Sequence, residues 1–197
     1  GARTFDVWSL RKKNYLVGET VTLSMNNCRE TAGAFFSESS DLAVAQVTVN
    51  YLHGFGWLTQ MCRDVSFTGV HFHPDSQHHV SSFADCIHVC GCKGKVTVKD
   101  CSFTQAHDDA INIHGAFLRF VRRVDDHTAV FQFVHRQQGG YRAFFPGDTV
   151  RFYYRSSLQP CGEENTVAAV EDDIDAKTCT LTFDRPLPED IDAKFRG

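Results

Sequence analysis

Short runs of apolar and β-branched residues, separated by Gly, Asn and Asp, make up the chain from about Val44 to Gly115. Apolar and polar positions alternate within these runs, and no stretch long enough for a helix shows the 3.6-residue period. Val47–Val49, Val65–Phe67 and Val96–Val98 are clear examples. The pattern predicts that this part of the chain consists almost entirely of strands and turns.

Two segments of this region match each other at an offset of 24 residues, Asp85-Cys86-Ile87-His88-Val89-Cys90-Gly91 and Asp109-Ala110-Ile111-Asn112-Ile113-His114-Gly115. Repeats of this period are typical of stacked supersecondary units, and stacked units without helices indicate a parallel β-helix. The alternation then places four apolar residues in inward ladders and leaves His88 and Asn112 on the outer face. These inward residues are Ile87, Val89, Ile111 and Ile113.

The stacking also predicts where two carboxylates lie. Neighbouring coils are roughly 4.8 Å apart. Asp85 and Asp109 occupy equivalent positions in the repeat. We therefore expect them to lie one above the other on one edge of the solenoid.

The second half of the chain, roughly 117–197, has a different pattern. Its alternating runs resemble antiparallel strands separated by turns. This is typical of a small antiparallel β-barrel. The runs are 128–133, 149–154, 166–170 and 178–183, with turn signals at 145–148 and 172–175.

The start of the chain gives a weaker signal. The segment Val17–Leu23 resembles Phe145–Arg151, which suggests a barrel-like piece at the N-terminal end. We therefore divide the chain into an N-terminal β segment at 1–43, parallel β-helix coils at 44–116 and a barrel domain at 117–197.

The composition of the chain limits the classes of function that it can have. With 42% hydrophobic and 22% charged residues, the chain has the composition of a globular protein and not of a disordered one. Lys and Arg total 20 against 24 Asp and Glu, a net charge of −4, so there is no basic field to hold nucleic acid. No apolar run reaches the 18 residues of a membrane span.

Cysteine spacing favours buried free thiols over a zinc site or disulfides. The chain has eight cysteines, and the segment Cys86-x3-Cys90-x-Cys92 lacks the paired CxxC knuckles of structural zinc sites. Thiols of this kind commonly fill a core.

Titratable groups are densest in His107–Gly115, where Asp108 and Asp109 are adjacent and Asp85 lies one coil away. Like charges a few ångströms apart cannot all ionise freely, which allows an acid and a base to coexist. Glycoside hydrolysis needs such a pair. Because neighbouring residues on a flat strand face opposite ways, both aspartates reach one cleft only if the backbone turns at 108–109.

Other interpretations of these residues stay open. An Asp-Asp pair before a strand is often a solvated turn, and clustered Asp and Asn oxygens could hold calcium, although histidine is a poor ligand for that ion. The pairs His71/His73 and His78/His79 could bind a transition metal. We interpret those pairs as loop histidines, because no carboxylate is placed to complete a ligand set.

At these residues the sequence resembles the glycoside hydrolase family 110 α-1,3-galactosidases. The resemblance is carried by Ala84–Gly94 and His107–Gly115 and continues in 54–60, 135–140 and 145–148. It implies a parallel β-helix that carries β-barrel domains. It also implies removal of terminal α-linked galactose from blood-group-B-type and linear glycans, with inversion and with neither metal nor organic cofactor.

The resemblance also implies residue roles. Asp108 would be the general acid, with Asp85 and Asp109 holding and deprotonating the attacking water. His88, Asn112 and His114 would bind or orient the sugar, and Trp57 and Gln60 are further sugar-contacting candidates. Inversion requires the acid and base carboxyls to lie roughly 6.5 to 9.5 Å apart. At position 107, where we expect an apolar residue or Met in members of the family, this chain has a histidine. We expect His107 to affect either the general acid or the shape of the pocket.

Two rival functions belong to other classes. A polygalacturonase also places an Asp-Asp pair and a further Asp on a β-helix, but the Gly-His-Gly turn and Arg-Ile-Lys segment that those enzymes share do not occur here. A non-catalytic glycan-binding solenoid would use aromatic residues such as Trp57, Phe72 and Phe83 to stack on sugars. Core packing is the ordinary role of such aromatics.

The chain is shorter than the members of the family that it resembles. The repeat supports only three or four coils, near the number that such stacks need. We therefore expect an internal piece or a natural truncation, whose open strand edges favour aggregation or a homodimer. An enzyme acting on an α-galactosyl glycoconjugate is expected to be secreted, periplasmic or at the cell surface, with any signal outside these 197 residues.

Overall fold

A computed structural model describes residues 16–19, 30–135 and 138–191 of the chain. Most of the predicted N-terminal barrel-like segment lies outside these residues. In the described part the secondary structure is all β. Its strands are β1 (Ala32–Ser37), β2 (Ser40–Val49), β3 (Phe55–Gln60), β4 (Arg63–Phe72), β5 (Ile87–Cys90), β6 (Lys93–Lys99), β7 (Ser102–Phe103), β8 (Ile111–His114), β9 (Leu118–Arg123), β10 (Thr128–Phe133), β11 (Thr149–Val150), β12 (Asn165–Asp173) and β13 (Thr178–Phe183).

The first eight strands form two parallel sheets. The first sheet has the order β1-β3-β5-β8, and in the second β2, β4 and β6 lie side by side with β7 also paired to β4. The chain alternates between the sheets, except that the consecutive strands β6 and β7 both belong to the second sheet. Parallel pairing with short return segments is what the repeat predicts.

The register of the first sheet confirms the 24-residue match. Ile87 pairs with Ile111, and Val89 pairs with Ile113. The preceding step is longer, because Trp57 pairs with Ile87. The strands therefore keep a common register although the lengths of the connecting segments differ.

The first core lies between the two parallel sheets. Ile87 and Val89 are fully buried, and they pack with Phe67 and Phe72 of β4. Their predicted counterparts Ile111 and Ile113 are 36% and 55% exposed, because β8 is the last strand of its sheet in the described chain. The apolar ladder is thus covered in the middle of the stack and open at its edge.

The parallel sheets extend further towards the N-terminus than residue 44. β1 and the first residues of β2 precede that position, and Ala34 pairs with Trp57 while Leu42 pairs with Val65. The alternation in 32–43 is imperfect, since Gly33 and the two residues between the strands, Glu38 and Ser39, interrupt it.

The last five strands form an antiparallel sheet of order β11-β12-β13-β10-β9. Its core includes the buried residues Phe131, Val167, Leu181 and Phe183. The predicted runs 128–133 and 178–183 coincide with β10 and β13. The run 149–154 is shorter than predicted, because β11 ends at Val150 and the chain turns at 155–157.

Two further predictions concern cysteines and histidines. Each cysteine in the described residues is a free thiol, as the spacing favours. The interpretation of His71 as a loop residue is wrong, because His71 lies within β4 and its Nδ1 is 2.7 Å from the hydroxyl of Ser102. The same hydroxyl is 2.7 Å from Nε2 of His73.

In the described part of the chain no helix has the length and apolarity needed to cross a bilayer.

Candidate functional site

Two stacked turns carry the carboxylates predicted from the repeat. The turn before β5 holds Asp85 and the turn before β8 holds Asp109. Backbone hydrogen bonds join the turns, since the amide of Cys86 donates to the carbonyl of Asp109 at 3.0 Å and that of Ile87 donates to Ala110 at 3.2 Å. The two aspartates therefore occupy equivalent positions in the turns that precede two paired parallel strands.

Asp108 joins these two side chains. One carboxylate oxygen from each of Asp85, Asp108 and Asp109 lies within 4.8 Å of the others. Residues 108–109 precede β8 in a bent segment, so the alternation of a strand does not apply to them. Asp85 is 3% exposed, whereas Asp108 and Asp109 are open to solvent. The cluster thus has one buried carboxylate and two exposed ones.

A chain of hydrogen bonds leads from Asp85 along the outer face. Nδ1 of His88 lies 2.5 Å from Oδ2 of Asp85, and Nε2 of His88 lies 2.8 Å from Nε2 of His114. A neutral His88 that donates to the carboxylate accepts from His114. His88 therefore acts as the hydrogen-bond donor to the buried carboxylate, and its Nε2 is left to accept a hydrogen bond from His114.

His114 has two partners on its other nitrogen. Nδ1 lies 2.9 Å from the carbonyl oxygen of Gly115 and 3.4 Å from the side-chain amide nitrogen of Gln138. An unprotonated Nδ1 accepts from the amide, and a protonated Nδ1 donates to the carbonyl. A carbonyl acceptor and an amide donor therefore both lie within reach of the outer nitrogen of His114.

Three other predicted sugar contacts fall in different places. Asn112 pairs in register with His88 on the outer face, and both are half-buried. Gln60 is half-buried at the end of β3 and pairs with Cys90. The assignment of Trp57 to sugar contact needs correction, because it is 7% exposed and packs against Phe67 and Phe72 in the core.

The segment that begins at Gln138 covers part of this outer face. The hydroxyl of Tyr141 lies 3.5 Å from the sulfur of Cys90, and Gln138 reaches His114. Burial raises the pKa of the Cys90 thiol and that of the Tyr141 phenol, so both groups stay protonated at neutral pH. Neither Tyr141 nor Gln138 was predicted from the sequence, since each meets its partner across a long separation along the chain.

Gly56 is another residue that sequence analysis missed. Its amide donates to the carbonyl of Asp85 at 2.9 Å, and a Cβ at Gly56 would lie 2.3 Å from that oxygen and 2.1 Å from the carbonyl oxygen of Cys86. Ser82 also donates its hydroxyl to the Asp85 carbonyl, at 3.2 Å. The backbone that carries Asp85 is therefore held from two sides.

The chemistry of the cluster follows from these contacts. Two exposed carboxyls beside a buried, hydrogen-bonded carboxylate can exchange protons with a bound substrate and water. Three close oxygens are also the beginning of a ligand set for a hard cation such as Ca²⁺, which takes six to eight oxygens. His107, on the same turn, packs edge-on against Phe83 with ring centroids 4.9 Å apart.

Comparisons with known proteins identify related sequences for both halves of the chain. The family model of the GLAA-B beta-barrel domain II matches residues 128–194. Alpha-1,3-galactosidase B of Bacteroides fragilis is 35% identical over 79% of this chain, and alpha-1,3-galactosidase A of the same organism is 32% identical over 89%. Alpha-1,3-galactosidase A of Akkermansia muciniphila is 34% identical over 84%. The chain is homologous to these enzymes over most of its length, and it spans 27% to 29% of theirs.

Proposed function

We propose that the protein is an exo-acting α-galactosidase of the glycoside hydrolase family 110 type, which removes terminal α-1,3-linked galactose from glycans. Homology to α-1,3-galactosidases supports the reaction class. The observation that carries the proposal to the residue level is the carboxylate cluster on the stacked turns. We further propose that the parallel coils are part of a right-handed β-helix, and that the enzyme acts outside the cytoplasm, where blood-group-B-type glycans are displayed.

In the proposed mechanism Asp108 is the general acid. It protonates the glycosidic oxygen of the leaving group while water attacks the anomeric carbon from the other face of the ring. Asp85 and Asp109 hold this water and accept its proton. His88 supports the role of Asp85, because its Nδ1–H bonds one carboxylate oxygen and leaves the other for water. No metal or organic cofactor takes part in these steps.

The distance between the carboxyls bears on the stereochemistry. Inverting enzymes need roughly 6.5 to 9.5 Å between acid and base, and retaining enzymes about 5 to 5.5 Å. The closest oxygens of the cluster lie within 4.8 Å. Inversion therefore requires the exposed Asp108 side chain to turn away from Asp85 and Asp109 when the sugar enters, which its position on a bent, solvent-facing segment permits.

The first test measures the release of galactose from an α-1,3-galactosyl disaccharide by the full-length protein. We expect Asp108→Asn to lower kcat by about 10²- to 10⁴-fold, the usual contribution of a general acid. Asp100→Asn, which changes an exposed aspartate 71% open to solvent, is the matched control and should stay within twofold. Sugar binding without release by the parent protein would favour the glycan-binding alternative.

A second measurement separates the roles of the aspartates. With 4-nitrophenyl α-galactoside, whose leaving group needs little protonation, Asp108→Asn should recover much of its rate while Asp85→Asn should not. Proton NMR of the first sugar released should show β-galactose if the reaction inverts. Release of α-galactose would instead assign the close carboxylates to a retaining double displacement.

A further inference from the structure

A cleft separates the parallel coils from the antiparallel half of the molecule. Its volume is about 390 Å³, and it lies between the turns that follow β3 and β5 and the segment 143–149. Met61 and Gly91 border it on the side of the coils, and Phe144 and Asp148 border it on the other side. Clefts between two packed units are a common location for ligand sites.

An ion pair joins the two sides of this cleft. The ammonium of Lys93 donates to Oδ1 of Asp148, while Oδ2 of Asp148 accepts from the backbone amide of Phe145 at 3.0 Å. The Lys93 nitrogen also lies 5.3 Å from the centre of the Phe145 ring. The side chains of Lys93 and Asp148 are 38% and 16% exposed. A donor and an acceptor are therefore held side by side at the edge of solvent.

This combination matches the chemistry of a sugar. A sugar hydroxyl both donates and accepts, so neighbouring hydroxyls can bond an ammonium and a carboxylate at once. Phe144 adds an apolar aromatic side chain to the lining, of the kind that packs against the C–H face of a pyranose. Arg63 lines the same cleft and supplies further N–H donors.

The cleft also lies in line with the carboxylate cluster. β5 and β8 begin beside the carboxylates, and they end at Cys90 and His114, next to Gly91 and Ala116 of the cleft. Four strand residues cover roughly 13 Å, which is longer than one pyranose ring. Tyr141, in the segment that leads into the cleft wall, contacts Cys90 at the cleft end of β5. A glycan whose terminal galactose reaches the carboxylates can extend along this face.

We propose that the cleft binds a sugar residue of the glycan beyond the galactose that is removed, through Lys93, Asp148 and Phe144. The cleft then selects oligosaccharides over short substrates that carry the same terminal linkage. This inference rests on the proposed galactosidase function for its biological meaning, although sugar binding in the cleft can be measured without it.

The test compares kcat/KM for a pentasaccharide and a disaccharide with the same terminal α-1,3-galactose. We expect Lys93→Met to lower the pentasaccharide-to-disaccharide ratio at least fivefold, and Arg63→Gln to lower it by a smaller factor. Lys99→Met changes a lysine of the same strand that is 69% exposed, and it should leave the ratio unchanged. An unchanged ratio in both cleft variants would overturn the proposal.

A binding experiment keeps the two proposals distinguishable. The tetrasaccharide that remains after the terminal galactose has been removed from the pentasaccharide is titrated into the parent protein and into Lys93→Met. Isothermal titration calorimetry measures its affinity for each protein. We expect saturable binding by the parent and at least a fivefold weaker affinity in the variant. If the parent binds the tetrasaccharide but releases no galactose, the proposed function fails and the cleft assignment stands. If the parent does not bind the tetrasaccharide, the cleft assignment is wrong whatever the activity.

Discussion

At the scale of single residues, the molecule contains two histidine–aspartate pairs that share a spacing and differ in burial. In both pairs the histidine follows the aspartate by three residues, with contacts of 2.5 Å for Asp85/His88 and 2.7 Å for Asp75/His78. The side chains of Asp85 and His88 are 4% and 16% exposed, whereas those of Asp75 and His78 are 43% and 35% exposed. A buried carboxylate depends on its donor far more than an exposed one does.

We therefore predict unequal effects of removing the two imidazoles. His88→Ala leaves the buried Asp85 carboxylate without this donor, and we expect the free energy of unfolding to fall by about 1–3 kcal/mol. His78→Ala is the matched control, with an expected loss below about 1 kcal/mol because exposed pairs contribute little. Urea denaturation of the three proteins measures both values. Equal losses would contradict the importance of burial at Asp85.

The residues of the site could be predicted from sequence only where a local pattern carried them. The repeat located Asp85 and Asp109, because a 24-residue offset leaves equivalent residues recognisable. It could not place Trp57, which pairs with Ile87 across a 30-residue step and therefore faces the core with it. Tyr141 meets Cys90 across 51 residues, and no short-range pattern encodes such a contact.

At the scale of elements, the approach of β3 to the turn before β5 sets the position of Asp85. The amides of Gly56 and Trp57 donate to the carbonyls of Asp85 and Cys86, at 2.9 and 2.8 Å. Because the carbonyls lie where a side chain would begin, only glycine allows this approach. The strand therefore orients a residue that it does not itself contain.

Gly56→Ala should separate β3 from this turn. The added methyl group meets backbone atoms that cannot rotate away, and we expect a loss of about 3 kcal/mol in the free energy of unfolding, at the upper end of overpacking effects. Gly115→Ala, at a glycine whose Cβ would have no heavy atom within 4 Å, should change stability by less than about 1 kcal/mol. Thermal unfolding compares the two. A neutral Gly56→Ala would show that the turn can move without cost.

At the scale of the whole molecule, buried thiols occupy both cores. Burial raises the pKa of Cys92 to about 11 and that of Cys179 to about 12. Cys92 lies beside the parallel sheets, and Cys179 lies in the antiparallel core. Both halves of the protein therefore hold thiols that resist ionisation when folded but ionise more readily in the unfolded chain.

This difference predicts loss of stability in alkali. The folded thiols keep their protons above pH 9, where the unfolded chain releases them, so fewer protons are bound in the unfolded state and stability falls as the pH rises from about 9 to 11. Denaturation midpoints across this range measure the slope. Cys92→Ala should reduce the slope, and the difference from the parent separates this thiol from the titration of lysines and tyrosines. An identical slope in both proteins would contradict the buried-thiol explanation.

The division of the molecule into a parallel and an antiparallel half could be predicted because the two halves differ in how strands recur along the chain. The N-terminal limit of the parallel part could not be predicted from the sequence. β1 and the beginning of β2 are held by pairing with β3 and β4, and they have no strong alternation of their own. Their stability comes from neighbours that are distant in sequence.

The longer step between Trp57 and Ile87 has an evolutionary consequence. Its extra residues lie between Phe72 and Ile87, outside the paired strands, and lengthening such a connection costs little free energy. Insertions there can alter the approach to Asp85 while the strands keep their register. We therefore expect related proteins that act on different glycans to differ more in the length of this connecting segment than in the strands.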